Sequence, residues 1–202
     1  MKTRSKALLL TLCAVVLVIA TVFGTMAYLT STDEVKNTFT VGSVAIKLDE
    51  AKANTDGSLV ANADRVKANE YKLLPGHTYT KDPIVHVAST SEDCYLFVKV
   101  VNEIAAIEGE QTVAAQMDAK GWVAVDGADG VYVYTQNRAP AVVAGGSSVT
   151  VFDNFTISGT VDNATLATYN NKTITVTAYA IQADGFADKT ASEIWTAAGF
   201  TN

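Results

Sequence analysis

The imidazoles and thiols in this sequence are few: two histidines, His77 and His86, and two cysteines, Cys13 and Cys94. A catalytic zinc site commonly takes three protein ligands with histidine prominent among them, and no His-Glu-x-x-His helix is present to supply two of them. His77 follows the Pro75-Gly76 turn and reads as a solvated turn residue, while His86 shares a strand parity with Ile84 and Ala88 and reads as facing a crowded surface. The stretch Asp126-Gly127-Ala128-Asp129-Gly130 has the outline of a calcium loop without the regular acidic spacing or closing glutamate of an EF-hand. A hairpin turn between 122–125 and 131–134 accounts for it. Gly145-Gly146-Ser147-Ser148 precedes a strand rather than a helix, so it is no phosphate loop, and no Gly-x-Ser-x-Gly elbow occurs. These patterns lead us to expect no enzyme, no catalytic residue, no cofactor and no metal ligand.

The elements around these residues read as mostly β, because apolar positions alternate more often than they recur at helical spacing and Val, Thr, Ala and Tyr abound. Strands are expected over 38–48, 82–88, 94–102, 122–126, 131–136, 147–157 and 173–182, which suggests a two-sheet β-sandwich. In 94–101 one parity holds Cys94, Leu96, Val98 and Val100 and the other Tyr95, Phe97, Lys99 and Val101, the pattern of a central strand covered on both faces. Cys94 should point inward as a buried thiol. In 173–181 the residues Thr173, Thr175 and Thr177 give the first half one wet face. Turn residues at Pro75-Gly76, Asp126-Gly127, Asp129-Gly130, Gly145-Gly146 and Asn170-Asn171 suggest short links between antiparallel neighbours. Two short helices are expected, 110–120 closed by Gly121, and a tail helix with Thr190 as N-cap, Glu193 three residues on and Gly199 at its end. Both read as lids over the ends of the sandwich. Residues 51–69 read as a polar surface insertion, and the tyrosines as scattered core and rim residues.

At the N-terminus, Lys2, Arg4 and Lys6 precede an apolar run from Ala7 to Phe23, and Thr25-Met26-Ala27 follows. This is the layout of a secretory signal, residues 1–27, with Thr25 and Ala27 where a signal peptidase reads small residues and Tyr28 as the first mature residue. An uncleaved anchor is the alternative, since 17 apolar residues lie at the short edge of what spans a bilayer. Cys13 lies inside the run after Leu12, which argues against lipidation. Removing 27 of 202 residues leaves 175, enough for one domain, with 12 basic against 21 acidic groups. That charge of −9 repels phosphate backbones and anionic lipid, so neither a nucleic-acid partner nor stable membrane association after cleavage is expected. Cys94 is then the one cysteine left, and an internal disulfide is excluded.

The run Gly24-Thr25-Met26-Ala27-Tyr28-Leu29-Thr30, then Asn37-Thr38-Phe39-Thr40-Val41-Gly42, and Leu74-Pro75-Gly76 followed by Lys81 and Asp82, resembles the TasA/camelysin family. The strand Ala178-Tyr179-Ala180-Ile181-Gln182 matches loosely, and 102–171 carries no family motif. Members are exported proteins of Gram-positive bacteria processed by a dedicated signal peptidase. The resemblance implies a jelly-roll sandwich, residues 42–202, that polymerises head to tail into extracellular biofilm-matrix fibres, the mature N-terminal segment 28–41 of one copy completing the sheet of the next. Such a polymer leaves room for an accessory fibre or anchoring protein. Camelysin-type relatives are described as metalloproteases, a role for which His77 and His86 supply no recognised motif.

Within 28–41 one parity reads Leu29, Ser31, Asp33, Val35, Asn37, Phe39 and Val41, which gathers the apolar residues on one face, as strand addition requires. Leu29, Val35, Phe39 and Val41 are the expected polymerisation residues. A contact of this kind does not close on itself, so a filament follows. The competing expectation is that 28–37 is a frayed terminus and the chain a monomeric cell-surface or matrix-associated binding module.

Overall fold

The computed structural model describes residues 3–28 and 42–200, with side chains from 5 to 19 in the first helix. The chain divides into two compact units, Met1–Thr40 and Val41–Asn202.

In the first unit, α1 (Thr3–Tyr28) takes up the apolar run. From 5 to 19 its apolar side chains are exposed around the helix, Leu8 74% and Leu10 71%, so no single face of that stretch is set aside for a core. At 1.5 Å per residue the 17-residue run is about 26 Å long, against about 30 Å for the hydrocarbon of a bilayer. Among the described residues no helix is long and apolar enough to cross a membrane.

The second unit is mostly β and sandwich-like. One sheet pairs β1 (Ile46–Asp49) with β3 (Ile84–Val87) and β3 with β9 (Ser148–Thr150). A larger sheet runs β11 (Ile174–Gln182), β4 (Cys94–Asn102), β6 (Val131–Gln136), β5 (Trp122–Ala124), with β7 (Ala139–Pro140) on β6 and β8 (Val142–Val143) on β4. A third pair joins β2 (Thr78–Thr80) to β10 (Asn154–Thr156). Every pairing is antiparallel, and β11 matches β4 over nine residues from Ile174↔Asn102 to Gln182↔Cys94.

Strand β4 explains the layering. Cys94, Leu96 and Val98 enter a core shared with Val85, Val87, Trp122 and Phe155, whereas Tyr95 and Phe97 enter a second core with Val131, Val133, Ile194 and Trp195. The alternation of a strand sends successive side chains to opposite faces, so a strand apolar at both parities needs cover on both sides. The second cover is α4 (Ala191–Ala197), whose start carries the expected capping box between Thr190 and Glu193. It lies on the outer face of the larger sheet, its Trp195 ring 5.5 Å from Phe97 and 5.1 Å from Tyr179, and is not a lid over an end. The other expected helix is shorter, α2 (Val113–Ala119) with Thr112 as N-cap, and buries Val113 and Met117 in the first core.

Several expected elements differ. The run 147–157 is two strands that join different partners, with Val151 and Phe152 fully buried at the bend between them. The bend is stable because the buried Gln116 amide accepts from the backbone N–H of Asp153 and Asn154 and donates to the Asn154 carbonyl. Among the described residues the first strand begins at Ile46, with 42–45 irregular, and the part of the expected strand at 38–41 lies outside the described residues. Asn170-Asn171 links a helix, α3 (Asn163–Ala167), to β11, and Gly145-Gly146 connects strands of different sheets. Of the expected turns, the one at 126–130 closes a hairpin, β5 to β6. An unforeseen hairpin joins β6 to β7 through Asn137 and Arg138, both at positive φ, the geometry of a type I′ turn. Tyr71, Tyr79 and Phe155 form one aromatic cluster, ring centroids 5.0 to 5.7 Å apart, so these two tyrosines are not scattered.

The insertion 51–69 is tied down more than its polarity suggests. Gly57, at φ +85°, is buried with its back to Tyr79, and an added Cβ would stand 2.7 Å from the Tyr79 Cα. Gly57→Ala is expected to cost about 1 to 3 kcal/mol from backbone strain alone, read as a lowered midpoint in chemical denaturation.

Candidate functional site

Strand β1 ends on Asp49 and Glu50 directly follows it, and neighbouring residues of extended chain project to opposite sides. Asp49 and Glu50 are each 4% exposed and each is neutralised by a different set of partners. Asp49 Oδ1 receives Arg65 Nε at 2.5 Å and contacts His86 Nε2 at 3.0 Å, and Lys47 Nζ lies 2.9 Å from Oδ2. Arg65 extends to Asp82, donating to its Oδ2 at 2.9 Å and its carbonyl at 2.8 Å. The other oxygen of Asp82 accepts from the Ala51 N–H at 2.6 Å. His86 Nδ1 meets Ser148 Oγ at 2.7 Å, which fixes the ring between β1 and β9. Burial alone would raise the Asp49 pKa, but the hydrogen bonds from Lys47, Arg65 and His86 outweigh it and hold the carboxyl well below the usual carboxylate range.

Glu50 serves a second group. Its Oε2 accepts from Lys81 Nζ at 2.6 Å and its Oε1 from Asn69 Nδ2 at 2.9 Å. Asn69 also donates to the Ala51 carbonyl at 2.8 Å and accepts from the Ala53 N–H at 2.9 Å. Tyr71 stands beside them, its hydroxyl donating to the Thr80 carbonyl at 2.6 Å, and burial pushes its pKa well above the usual tyrosine range. Among the described residues no buried side-chain nitrogen or oxygen lacks a partner.

Of these groups Asp49, Glu50, Asn69, Tyr71 and Lys81 line one wall of a groove of about 1190 Å³ between the end of β1 and the start of β11. The volume exceeds the roughly 300–1,000 Å³ of common small-molecule pockets and fits a length of polypeptide. Its apolar side is built from Ile104, Phe155, Leu166, Tyr169, Ile174 and Val176. The last four are only partly buried although they pack against the first core. Both bordering strands are the last in their sheets, so each presents an unpaired backbone edge within the described fold. The β1 edge is short and carries Lys47, the usual protection of an exposed edge. The β11 edge is nine residues of Ile-Thr-Val-Thr-Ala-Tyr-Ala-Ile-Gln, with no charge and no proline.

Thr25, Ala27 and Tyr28 fall in the final turns of α1, where the side chains are outside what is described, and Leu29, Val35, Phe39 and Val41 lie outside the described residues. His77 is exposed in the loop before β2, 6.3 Å from the Tyr79 ring, and among the described residues no three metal-ligating side chains converge. Cys94 is buried as expected, and burial, with the charge of Asp93 added, pushes its pKa up to about 11. At pH 8 the thiol of a chain comprising residues 28–202 should therefore resist alkylation until denaturant is added, and mass spectrometry of the alkylated protein reads this directly.

Asp49, Glu50, Arg65, Asn69, Lys81 and Asp82 were not singled out as a site from the sequence, although Lys81 and Asp82 belong to the family-like stretch. A signal existed: an Asp-Glu pair closing an alternating strand must bury at least one acid, and a buried acid needs a cation. Comparison with known protein families, with characterised proteins and with solved structures finds no match for this chain.

Proposed function

We propose that this chain is a secreted, non-enzymatic structural subunit of extracellular biofilm-matrix fibres, in which residues 28–41 of one copy add as a strand to the β11 edge of the next. The observation that carries this reading is the uncharged nine-residue edge of β11, unpaired among the described residues, whose first residues Ile174 to Val176 line a partly apolar groove. Long uncharged edges template pairing with another chain, and proteins that do not use them blunt them. A 14-residue segment extends about 46 Å at 3.3 Å per residue, enough to follow the roughly 30 Å of β11 with residues to spare. Main-chain hydrogen bonds supply affinity, while Leu29, Val35, Phe39 and Val41 on one parity face the groove. Cleavage after Ala27 frees the segment and leaves the exposed apolar surface of α1 behind, which couples export to assembly. The jelly-roll closure and an extracellular location at the cell surface or in the matrix belong to the same reading.

The test compares chain 28–202 with chain 41–202 by size-exclusion chromatography and electron microscopy. Fibres from the first and folded monomers from the second support strand addition. Folded monomers from both put the groove at the service of another protein's peptide and make the chain a monomeric binding module.

A further inference from the structure

We propose that Lys81 and Asn69 become joined by an intramolecular isopeptide bond, formed by the protein itself with Glu50 as the proton carrier. Three separate segments bring the groups together: Glu50 directly follows β1, Asn69 ends the insertion, and Lys81 lies between β2 and β3. One carboxylate touches both nitrogens that the reaction exchanges, Lys81 Nζ at 2.6 Å through Oε2 and Asn69 Nδ2 at 2.9 Å through Oε1. The reacting pair is largely withdrawn from water, with the side chains of Lys81 and Glu50 13% and 5% exposed on the groove wall. Lysine and glutamate are rarely buried this deeply, and an ion pair used only for stability gains little in such a place.

The asparagine is held in a conformation that suits attack at its carbonyl. Negative charge developing on Oδ1 would fall on the oxygen that already accepts the Ala53 N–H at 2.9 Å, a backbone donor in the place where acyl transfer needs one. The leaving nitrogen is fixed by the Ala51 carbonyl at 2.8 Å on one side and by Glu50 on the other. Lysine becomes a nucleophile when it loses its proton in a desolvated site. Transfer of that proton from Nζ to Glu50 Oε2 leaves a neutral amine and a carboxylic acid, so no unpaired charge is created in the buried site.

The bonds then change as follows. The Nζ lone pair forms a bond to Asn69 Cγ while the carbonyl pair moves onto Oδ1. Glu50 delivers a proton to Nδ2, the carbonyl re-forms, and the Cγ–Nδ2 bond breaks with its electron pair leaving on nitrogen as ammonia. The second proton shed by Nζ departs with it as ammonium, and Glu50 returns to the carboxylate. Nothing is oxidised or reduced, and no co-reactant is required. The product ties the end of the insertion to the segment between β2 and β3 by a covalent amide.

The experiment is the intact mass of the purified, denatured wild-type chain, followed by tryptic mapping. The expected mass is that of the sequence less one ammonia, with no cleavage after Lys81 and a branched peptide joining Lys81 to Asn69. Lys81→Arg keeps a cation opposite Glu50 but is no nucleophile, and Glu50→Gln keeps the shape without the proton carrier. Both should show the full sequence mass and a lower melting temperature. A folded wild-type chain of full mass that trypsin cuts after Lys81 overturns the proposal, as does an ammonia loss mapped to any other residues.

Discussion

Replacing Phe39 with Asp should leave the mature chain folded and monomeric at concentrations where the parent assembles. Among the described residues the two cores of the second unit are built from positions between 44 and 200, and the proposed assembly assigns Phe39 to the neighbouring copy. In the proposed assembly its parity would place it in the groove, where an unpaired carboxylate costs several kcal/mol or forces the strand out. About 4 kcal/mol corresponds to roughly a thousandfold in an association constant, so the concentration at which fibres first appear should rise by at least that factor. Sedimentation of polymer across a concentration series measures it, and Phe39→Leu, which keeps an apolar side chain of similar size, should assemble. Equal fibre yields from the Asp variant would show that this parity does not face the acceptor.

The second large effect is expected at Arg65. Arg65→Met removes the cation that links Asp49 to Asp82 and leaves Asp49, with its side chain 3% exposed, facing His86 and Lys47 alone. Breaking a buried ion pair from one side costs about 3 to 5 kcal/mol, because the remaining charge loses its partner without regaining water. The same change alters the response to acid. In the parent the folded Asp49 holds its proton less tightly than the unfolded chain does, so its stabilisation is complete above the unfolded value near pH 4 and drains away as the pH falls towards the much lower folded value. Without Arg65 the folded value moves back towards the unfolded one, and this part of the acid dependence flattens. Urea denaturation at pH 7, 5, 4 and 3 tests both statements: the gap between parent and variant should be widest at pH 7 and narrow towards pH 3. A gap that widened in acid would contradict the network as described.

What could be read from the residues alone was whatever local pattern decides. Strands β4 and β6 begin and end where alternation predicted, because 94–102 and 131–136 are bounded by turn residues, and the tail helix starts at its capping box for the same local reason. The double cover of β4 was legible in its two apolar parities. That α4 supplies the second cover was not, since a short amphipathic helix does not say which surface it meets. The division of 147–157 depended on Gln116, more than thirty residues away, satisfying the backbone at the bend. The groove was beyond reach for a related reason: its walls are two edges, and an edge exists only once the order of strands is known. The cluster around Asp49 and Glu50 was hidden by an insertion that looks loose in composition yet contributes Arg65 and Asn69 to groups at the end of β1.

The long register between β11 and β4 bears on how such a polymer would carry tension. A strand added along β11 lies parallel to the filament's pull only if the neighbouring strands share its direction, and β11 then passes the load to β4 through nine matched residue pairs. Force applied along that ladder acts on all its rungs together instead of peeling them one at a time. Beneath it, the apolar side chains of β4 are gripped on both faces, so the subunit would yield first where one copy meets the next and not within its own body.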